Sequence, residues 1–145
     1  MVVLGSDHAG FELKDQVKEH LDKLGVEYVD LGFKEFKRDD DYPIIAKEVA
    51  RYVQSGKAEK GFLICGTGVG MSICANKFSG VRAVVASDPF SVRMSRQHNN
   101  ANILCFGARV IGRGIALDLV NEFLNTEFEG GRHEIRVEML EKDVD

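Results

Sequence analysis

The chain has 145 residues, of which 44% are hydrophobic and 29% are charged, and its formal net charge is −4. This balance is typical of one globular domain spanning residues 1–145, and the negative charge excludes the basic surface with which proteins neutralise nucleic-acid phosphates. No apolar run reaches the roughly 18 residues of a membrane span and no basic leader precedes the first apolar stretch, so we expect a cytoplasmic protein without nucleic-acid or membrane partners.

Short apolar runs rich in β-branched residues predict five buried strands. In chain order they are Val2–Leu4, Val26–Leu31, Phe62–Ile64, Val81–Ala86 and Ile103–Phe106. Helical signals lie between them: a stripe over Leu13–Leu24 before Gly25, a helix from Pro43 to Gly56, one starting near Met71, one opened by Asp88-Pro89, and one over Ile115–Phe123. Such alternation predicts an α/β fold with a parallel sheet covered on both faces, in which ligands bind beyond the carboxyl ends of the strands.

The three cysteines are Cys65, Cys74 and Cys105. Their odd number does not favour a disulfide framework, and their spacing does not match a metal site. Free thiols fit a reducing compartment. Seven of the nine arginines follow Lys77, and their planar guanidinium groups suggest a small anionic ligand or, for any one of them, a solvated surface.

The strongest local signal is the stretch Cys65-Gly66-Thr67-Gly68-Val69-Gly70, between a predicted strand and a predicted helix. Its glycines let backbone N–H groups approach an anion, to which the start of a helix adds partial positive charge. The stretch lacks the Gly-Lys-Ser/Thr of a Walker A loop and is one residue short of a dinucleotide fingerprint. Asp88, 20 residues after Gly68, keeps a nucleotide site as an alternative, although little chain follows for a second nucleotide-binding half.

The position of Cys65 at the start of a helix favours its thiolate, which could act as a base or nucleophile; the alternative is a small buried hydrophobic residue. Phosphoryl transfer of the tyrosine-phosphatase type would need an arginine six residues later, where this chain has Met71. Proton abstraction is therefore the better use of a thiolate here.

Two polar segments are candidates to converge on this loop: Gly5–Gly10, with Asp7 and His8, and His98–Asn102. Helix caps and turns are the alternative explanation for both. Arg132 and Arg136 are four residues apart and would share one helix face, where they could hold an anion or form ion pairs with neighbouring glutamates. The charged segment 132–145 is predicted to be a helix that packs on a neighbouring subunit.

Six motifs, in this order and spacing, closely resemble those of the B-type ribose-5-phosphate isomerases, a family that includes allose- and galactose-6-phosphate isomerases. They are Gly5–Gly10, Cys65–Ser72, Asn76-Lys77, His98–Asn102, Gly107–Gly112 and Phe128–His133. The resemblance implies a Rossmann-like three-layer αβα sandwich with a five-stranded parallel sheet. It also implies a homodimer, or a tetramer of two dimers, with active sites at the subunit interface. The implied reaction is the interconversion of ribose 5-phosphate and ribulose 5-phosphate through an enediolate, without metal or cofactor.

Residue roles follow from the same resemblance, motif by motif. Cys65 matches the base that moves the proton, Thr67 a residue that assists transfer at the substrate oxygens, and His98 the acid that opens the furanose ring. The remaining positions match substrate contacts, the arginines chiefly toward phosphate: Asp7, His8, Gly66, Gly68, Val69, Gly70, Asn99, Arg109, Arg132 and Arg136.

Two departures and two alternatives accompany the resemblance. One branch of the family has glutamate where Met71 stands and lacks the cysteine, so this chain resembles the cysteine branch. The family often has aspartate after Tyr-Pro, whereas Ile44 follows Tyr42-Pro43 here, which removes any polar role at that position. A hexose-6-phosphate isomerase and a non-catalytic sugar-phosphate sensor are the alternative functions.

Overall fold

The computed structural model describes residues 1–32 and 41–142; of the predicted exposed loop Lys34–Asp41, only Asp41 lies within these ranges. In these ranges the chain forms five strands and six helices. They are β1 (Val2–Ser6), α1 (Phe11–Leu24), β2 (Tyr28–Asp30), α2 (Tyr42–Gln54), β3 (Lys60–Cys65), α3 (Val69–Ala75), β4 (Ala83–Val85), α4 (Pro89–Gln97), β5 (Ile103–Gly107), α5 (Arg113–Asn125) and α6 (Arg132–Glu141). All five predicted strands are confirmed.

The strands form one parallel sheet in the order β2-β1-β3-β5-β4. Alternate residues along the strands point to opposite faces, where α1, α4 and α5 cover one apolar cluster and α2 and α3 cover the other. This arrangement confirms the predicted three-layer αβα sandwich. Helices α1 and α5, which follow β1 and β5, cover one face of the sheet, whereas α3, which follows β3, covers the other face. Because neighbouring connections leave toward opposite faces, a crevice forms around the carboxyl end of β3.

The predicted helix ends are explained by local chemistry. Gly25 follows α1 with a φ of 70°, a left-handed conformation that glycine adopts without strain. Asp88 is the N-cap of α4, and its Oδ1 accepts a hydrogen bond from the Ser91 N–H at 2.7 Å. The structure thus uses Asp88 as a helix cap, the role that its pairing with Pro89 predicts.

An ionic group buried under the sheet fixes the end of β2. The Lys14 side chain is 0% exposed, and its Nζ donates to Asp30 Oδ1 at 2.9 Å. Lys18 Nζ donates to Asp30 Oδ2 at 2.9 Å, and the Gly32 N–H donates to Oδ1 at 3.0 Å. Partial burial acts to raise the pKa of Asp30, but the hydrogen bonds from the two lysines outweigh it and hold this pKa below its ordinary value.

We expect Asp30→Ala to lower the free energy of unfolding at pH 7 by about 3–5 kcal/mol, because the buried Lys14 ammonium loses that carboxylate. Lys18→Ala is the control: its ammonium is partly exposed, so the cost should stay below about 1 kcal/mol. Because the pKa of Asp30 is lowered in the folded protein, the stability that its carboxylate contributes is fully present above the ordinary carboxylate pKa. It is lost as the pH falls through the pKa of folded Asp30. Urea unfolding from pH 7 to pH 3 should therefore show the difference between wild type and Asp30→Ala shrinking; a constant difference would contradict the assignment.

Candidate active site

Cys65 is the last residue of β3 and opens into the crevice at the carboxyl edge of the sheet. It is 6% exposed, and its Sγ accepts a hydrogen bond from the Gly68 N–H at 3.0 Å. The backbone of the loop therefore contacts the sulfur directly, and only a small part of the residue reaches solvent in a single chain.

Close backbone packing dictates the glycines of the loop that follows. Gly68 has a φ of +84°, and a Cβ there would lie 2.9 Å from backbone atoms of Phe106. A Cβ at Gly107 would lie 2.4 Å from the Thr67 Cα. Only glycine fits at these positions, because larger residues would lift the loop away from β5 and remove the Gly68 N–H from the sulfur.

The loop uses two of its own predicted donors internally. Besides the Gly68 N–H that binds sulfur, the Val69 N–H donates to Thr67 Oγ1 at 3.2 Å. The N–H of Gly70 lies in the first turn of α3, where a helix provides no intrahelical acceptor. The sequence analysis predicted the glycines of this loop and Val69 as substrate contacts, and the structure shows that the Gly68 and Val69 N–H groups are bonded to Cys65 and Thr67 of the same loop.

Asp7, His8 and Arg109 lie at the same edge. The Asp7 N–H donates to the Ile64 carbonyl at 3.3 Å, one residue before Cys65, while Asp7 Oδ1 accepts from the Gly10 N–H at 3.1 Å. Arg109 follows β5, and its N–H donates to the Gly66 carbonyl at 3.1 Å. The structure thus brings Cys65, Thr67, Asp7, His8 and Arg109 together at the carboxyl edge.

The other predicted site residues lie at the opposite edge. Helix α4 runs back from the carboxyl edge and has His98 as its C-cap, followed by exposed Asn99. The Asn102 N–H donates to the carbonyl of Arg82, which precedes β4, so this segment lies at the amino edge of the sheet. A cavity of about 620 Å³ opens there, lined in part by Asn99 and Arg82.

Helix α6 brings Arg132 and Arg136 to this amino edge as well. The Glu129 N–H donates to the Gln97 carbonyl at 3.1 Å, next to His98. At the other end of α6, the Glu141 carboxylate accepts from Arg82 Nη1 at 2.9 Å and from the Gly80 N–H at 3.1 Å. Both arginines are exposed on α6, as the predicted shared helix face requires.

Within one chain, the polar segment Gly5–Gly10 therefore lies beside the cysteine loop as expected, whereas the segment His98–Asn102 does not. A rise of about 3.3 Å per residue makes β5 roughly 13 Å long, and this length separates the two edges. The reason is topological: a parallel sheet needs every helix to return to the amino edge, so residues that end a helix lie opposite those that end a strand. We call the two sets the carboxyl-edge group (Asp7, His8, Cys65, Thr67, Arg109) and the amino-edge group (His98, Asn99, Arg132, Arg136).

His133 and Glu129 complete the amino-edge surroundings. The His98 and His133 rings are stacked, with centroids 4.2 Å apart and an interplanar angle of 11°. His133 Nε2 lies 3.5 Å from Glu129 Oε2. Desolvation, His98 and Arg132 lower the pKa of His133.

In the part of the chain that the structure describes, His98, Glu129 and His133 form the one group of three side chains with possible metal-ligand atoms in mutual reach. Nitrogen lone pairs lie in the ring plane, so two nearly parallel stacked rings direct theirs along separate planes and cannot both point at one ion. The observed arrangement is thus a stacked pair with a carboxylate partner, and it does not fit a metal centre.

The sequence analysis assigned no individual role to Arg96, Glu129 or His133, although the last two lie within the motif Phe128–His133. Arg96 was counted among arginines suited to an anionic ligand, but its buried guanidinium donates to backbone carbonyls of Ala101 and Thr126 at 2.7 and 3.0 Å. It therefore joins the His98 segment to the connection before α6. His133 could have been noticed as the residue next to Arg132, whereas no sequence signal indicates the contacts of Arg96.

A family model described as Ribose/Galactose Isomerase matches residues 2–140. The chain belongs to this family. It is 50% identical over 139 residues to ribose-5-phosphate isomerase B of Escherichia coli K12, covering 96% of this chain and 93% of that protein. The resemblance drawn from the six motifs is thereby confirmed, and this ribose/galactose isomerase family member is an isomerase with a Rossmann-like fold.

Solved structures of the family agree in fold. Ribose-5-phosphate isomerase B from Clostridium thermocellum has a TM-score of 0.94 and 45% identity, over 97% of this chain and 95% of that one. The Mycoplasma genitalium ribose-5-phosphate isomerase B, solved with bound ribulose 5-phosphate, has a TM-score of 0.93 and 39% identity, over 99% and 97%. None of the helices in the described ranges is long and apolar enough to cross a membrane.

Proposed function

We propose that this family member interconverts ribose 5-phosphate and ribulose 5-phosphate, with Cys65 as the base. The observation that carries the proposal is the Cys65 sulfur at the carboxyl edge, with the Gly68 N–H 3.0 Å from it. The names of the relatives supply the substrate, and a cysteine sulfur at the carboxyl edge of the sheet supports the reaction type.

The first step is opening of the furanose ring of ribose 5-phosphate. His98 donates a proton to the ring oxygen as the bond from C1 to that oxygen breaks, and the O1 hydroxyl gives its proton to water. The proton count is unchanged and C1 becomes an aldehyde. An imidazole suits this step because it holds and releases protons near neutral pH.

The second step is proton transfer between carbons. The Cys65 thiolate removes the proton from C2, the electron pair forms a C1–C2 double bond, and O1 takes the negative charge. The thiol then returns the proton to C1 as the electron pair on O2 forms the ketone, while Thr67 assists proton movement from O2 to O1. A backbone donor such as the Gly70 N–H can stabilise the enediolate, at about 3 kcal/mol for one well-placed donor.

A homodimer would complete the site. One chain carries the carboxyl-edge and amino-edge groups about 13 Å apart, too far for one sugar phosphate to bridge Cys65 and His98. If the carboxyl edge of one chain faces the amino edge of its partner, the carboxyl-edge group of the first and the amino-edge group of the second form one complete active site. A two-fold axis then produces two such sites in the dimer. Arg132 and Arg136 of the partner would then bind the phosphate and position the substrate.

The exposed apolar residues fit this pairing. Beside the cysteine loop, Ile44, Val69 and Ile73 are exposed, and on the other edge α6 exposes Ile135 and Met139. Two apolar rims around polar half-sites are the surfaces that an obligate interface would bury. We therefore propose that residues 132–145 pack on the partner subunit, as part of one domain spanning residues 1–145.

We also propose that the enzyme works in the reducing cytoplasm and without a cofactor. In the described residues Cys65, Cys74 and Cys105 are free thiols. The base needs its thiol reduced, and the proposed steps use only side chains and backbone groups of the chain.

Substrate choice is tested by comparing kcat/KM for ribose 5-phosphate, allose 6-phosphate and galactose 6-phosphate, following ketose formation. We expect ribose 5-phosphate to be preferred by about 10- to 200-fold, since one extra carbon in a fitted pocket has an effect of this size. A clear preference for either hexose phosphate would replace the substrate. Saturable binding of all three with no product would favour a sensor.

A further inference from the structure

His133 is more buried than the arginines around it. It is 7% exposed, whereas Arg132 and Arg136 on the same helix are exposed. Its ring lies nearly parallel to the His98 ring at a centroid distance of 4.2 Å. This stack is a direct side-chain contact between α6 and the proposed ring-opening acid.

Two contacts fix His133 relative to the segment that carries His98. The Glu129 carboxylate lies 3.5 Å from His133 Nε2, and the Glu129 backbone N–H donates to the carbonyl of Gln97, the residue before His98. The His133 N–H donates to the Gly130 carbonyl at 3.1 Å. The ring stack and the backbone hydrogen bond to Gln97 therefore hold the two imidazoles beside each other. Displacement of the His133 ring would leave one face of the His98 ring uncovered.

The charges around His133 favour its neutral form. The groups that face it are His98 from the end of α4, Glu129 from the connection before α6, and Arg132 and Arg136 from α6 itself. Desolvation and the three basic neighbours act against a second positive charge, and Glu129 partly offsets them. A neutral ring can stack on a protonated one, whereas two imidazolium rings at this distance would repel each other.

We propose that His133 is a positioning residue for ring opening: its ring, stacked on the ring of His98, fixes the orientation of the proposed acid. This inference rests on the proposed function, because it needs His98 to be the acid.

The two directions of the reaction separate ring opening from proton transfer. Ribose 5-phosphate is largely a furanose and must be opened before Cys65 can act. Ribulose 5-phosphate cannot form a five-membered ring, because the oxygen on C5 carries the phosphate. Exchange of its C1 protons with D2O therefore reports the Cys65 step alone.

The test measures both reactions in His133→Ala and His133→Phe. We expect His133→Ala to lower kcat from ribose 5-phosphate by about 10- to 100-fold, a part of the 10²- to 10⁴-fold that a positioned general acid supplies. The C1 exchange of ribulose 5-phosphate should change by less than about twofold. His133→Phe keeps a flat uncharged ring and should retain kcat within about threefold of wild type.

Two further variants make the outcomes distinguishable. His98→Asn should show the same pattern as His133→Ala but more strongly. His20→Ala should change neither reaction, because the His20 ring contacts Asn121 of α5, with Nε2 2.6 Å from Oδ1. If His133→Ala slows both reactions equally, or if His133→Phe is as slow as His133→Ala, the positioning role is overturned. If His98→Asn slows neither reaction, the proposed role of His98 fails instead.

Discussion

Cys65→Ala should abolish exchange of the C2 proton of ribose 5-phosphate with solvent and lower kcat by about 10³-fold or more. Without the sulfur, the Gly68 N–H points into the space that the base occupied. A hydrogen-bond donor cannot accept the C2 proton, so the variant has no base. Binding of the sugar phosphate should persist, because the proposed phosphate contacts are arginines outside the loop. The measurements are proton NMR of the substrate in D2O and a titration of the variant with ribose 5-phosphate.

Cys74→Ala is the matched control for this change. Cys74 lies on α3, close to the loop, but its Sγ contacts the Pro43 carbonyl at 3.8 Å and is directed away from the crevice toward α2. The same chemical substitution should therefore leave C2 exchange within about twofold of wild type. Undiminished exchange in Cys65→Ala would remove the base from the proposed mechanism.

Mixing two inactive variants should restore activity if the site is shared between subunits. Cys65→Ala disables the carboxyl-edge group, and His98→Asn disables the amino-edge group. After subunit exchange at equal concentrations, half of the dimers are mixed, and each mixed dimer contains one intact site out of two. We expect recovery of about a quarter of the wild-type kcat, against near zero for either variant alone.

The control for mixing is a pair of variants in the same group, Cys65→Ala with Thr67→Ala. In a mixed dimer of this pair, each chain carries one damaged loop, so neither site has a complete carboxyl-edge group. No recovery is expected there. Failure of the first pair to recover activity, with subunit exchange verified by mass spectrometry of the intact assemblies, would contradict a shared site.

The sequence predicted the existence and type of every strand but not the length of the edge strands. β2 covers Tyr28–Asp30 and β4 covers Ala83–Val85, both shorter than the apolar runs that predicted them. These strands pair on one side only, so the ends of each run have no neighbour to bond with. Apolar content indicates burial, whereas strand length depends on a partner that is distant in sequence.

Single positions show the same limit in the helices. Leu24 belongs to the apolar stripe of α1 and Ile115 to that of α5, yet both are exposed. A period of 3.6 residues identifies the face of a helix that packs, but the extent of that face depends on where the covering layer ends. The buried Lys14 illustrates the converse: a charged residue on α1 is buried because Asp30, on a strand distant in sequence, neutralises it.

For the candidate site, the loop chemistry could be predicted and the spatial grouping could not. Glycine spacing after a strand indicated the environment of Cys65, because that environment is local in sequence. The separation of His98 from Cys65 depends on which edge of the sheet each segment reaches, which becomes clear only from the topology. The stack of His98 on His133 joins two segments 35 residues apart and has no sequence period that could reveal it.

The separation of Cys65 from His98 along the direction of the strands bears on how the activity of the enzyme changes on dilution. On the proposed shared site, a lone chain would hold two incomplete sets of reactive groups and would have no activity even when fully folded. Once most chains are separated, the rate of a solution would fall with the square of the protein concentration instead of in proportion to it. The amount of enzyme in a cell would then set both the number of catalysts and the fraction of them that is switched on.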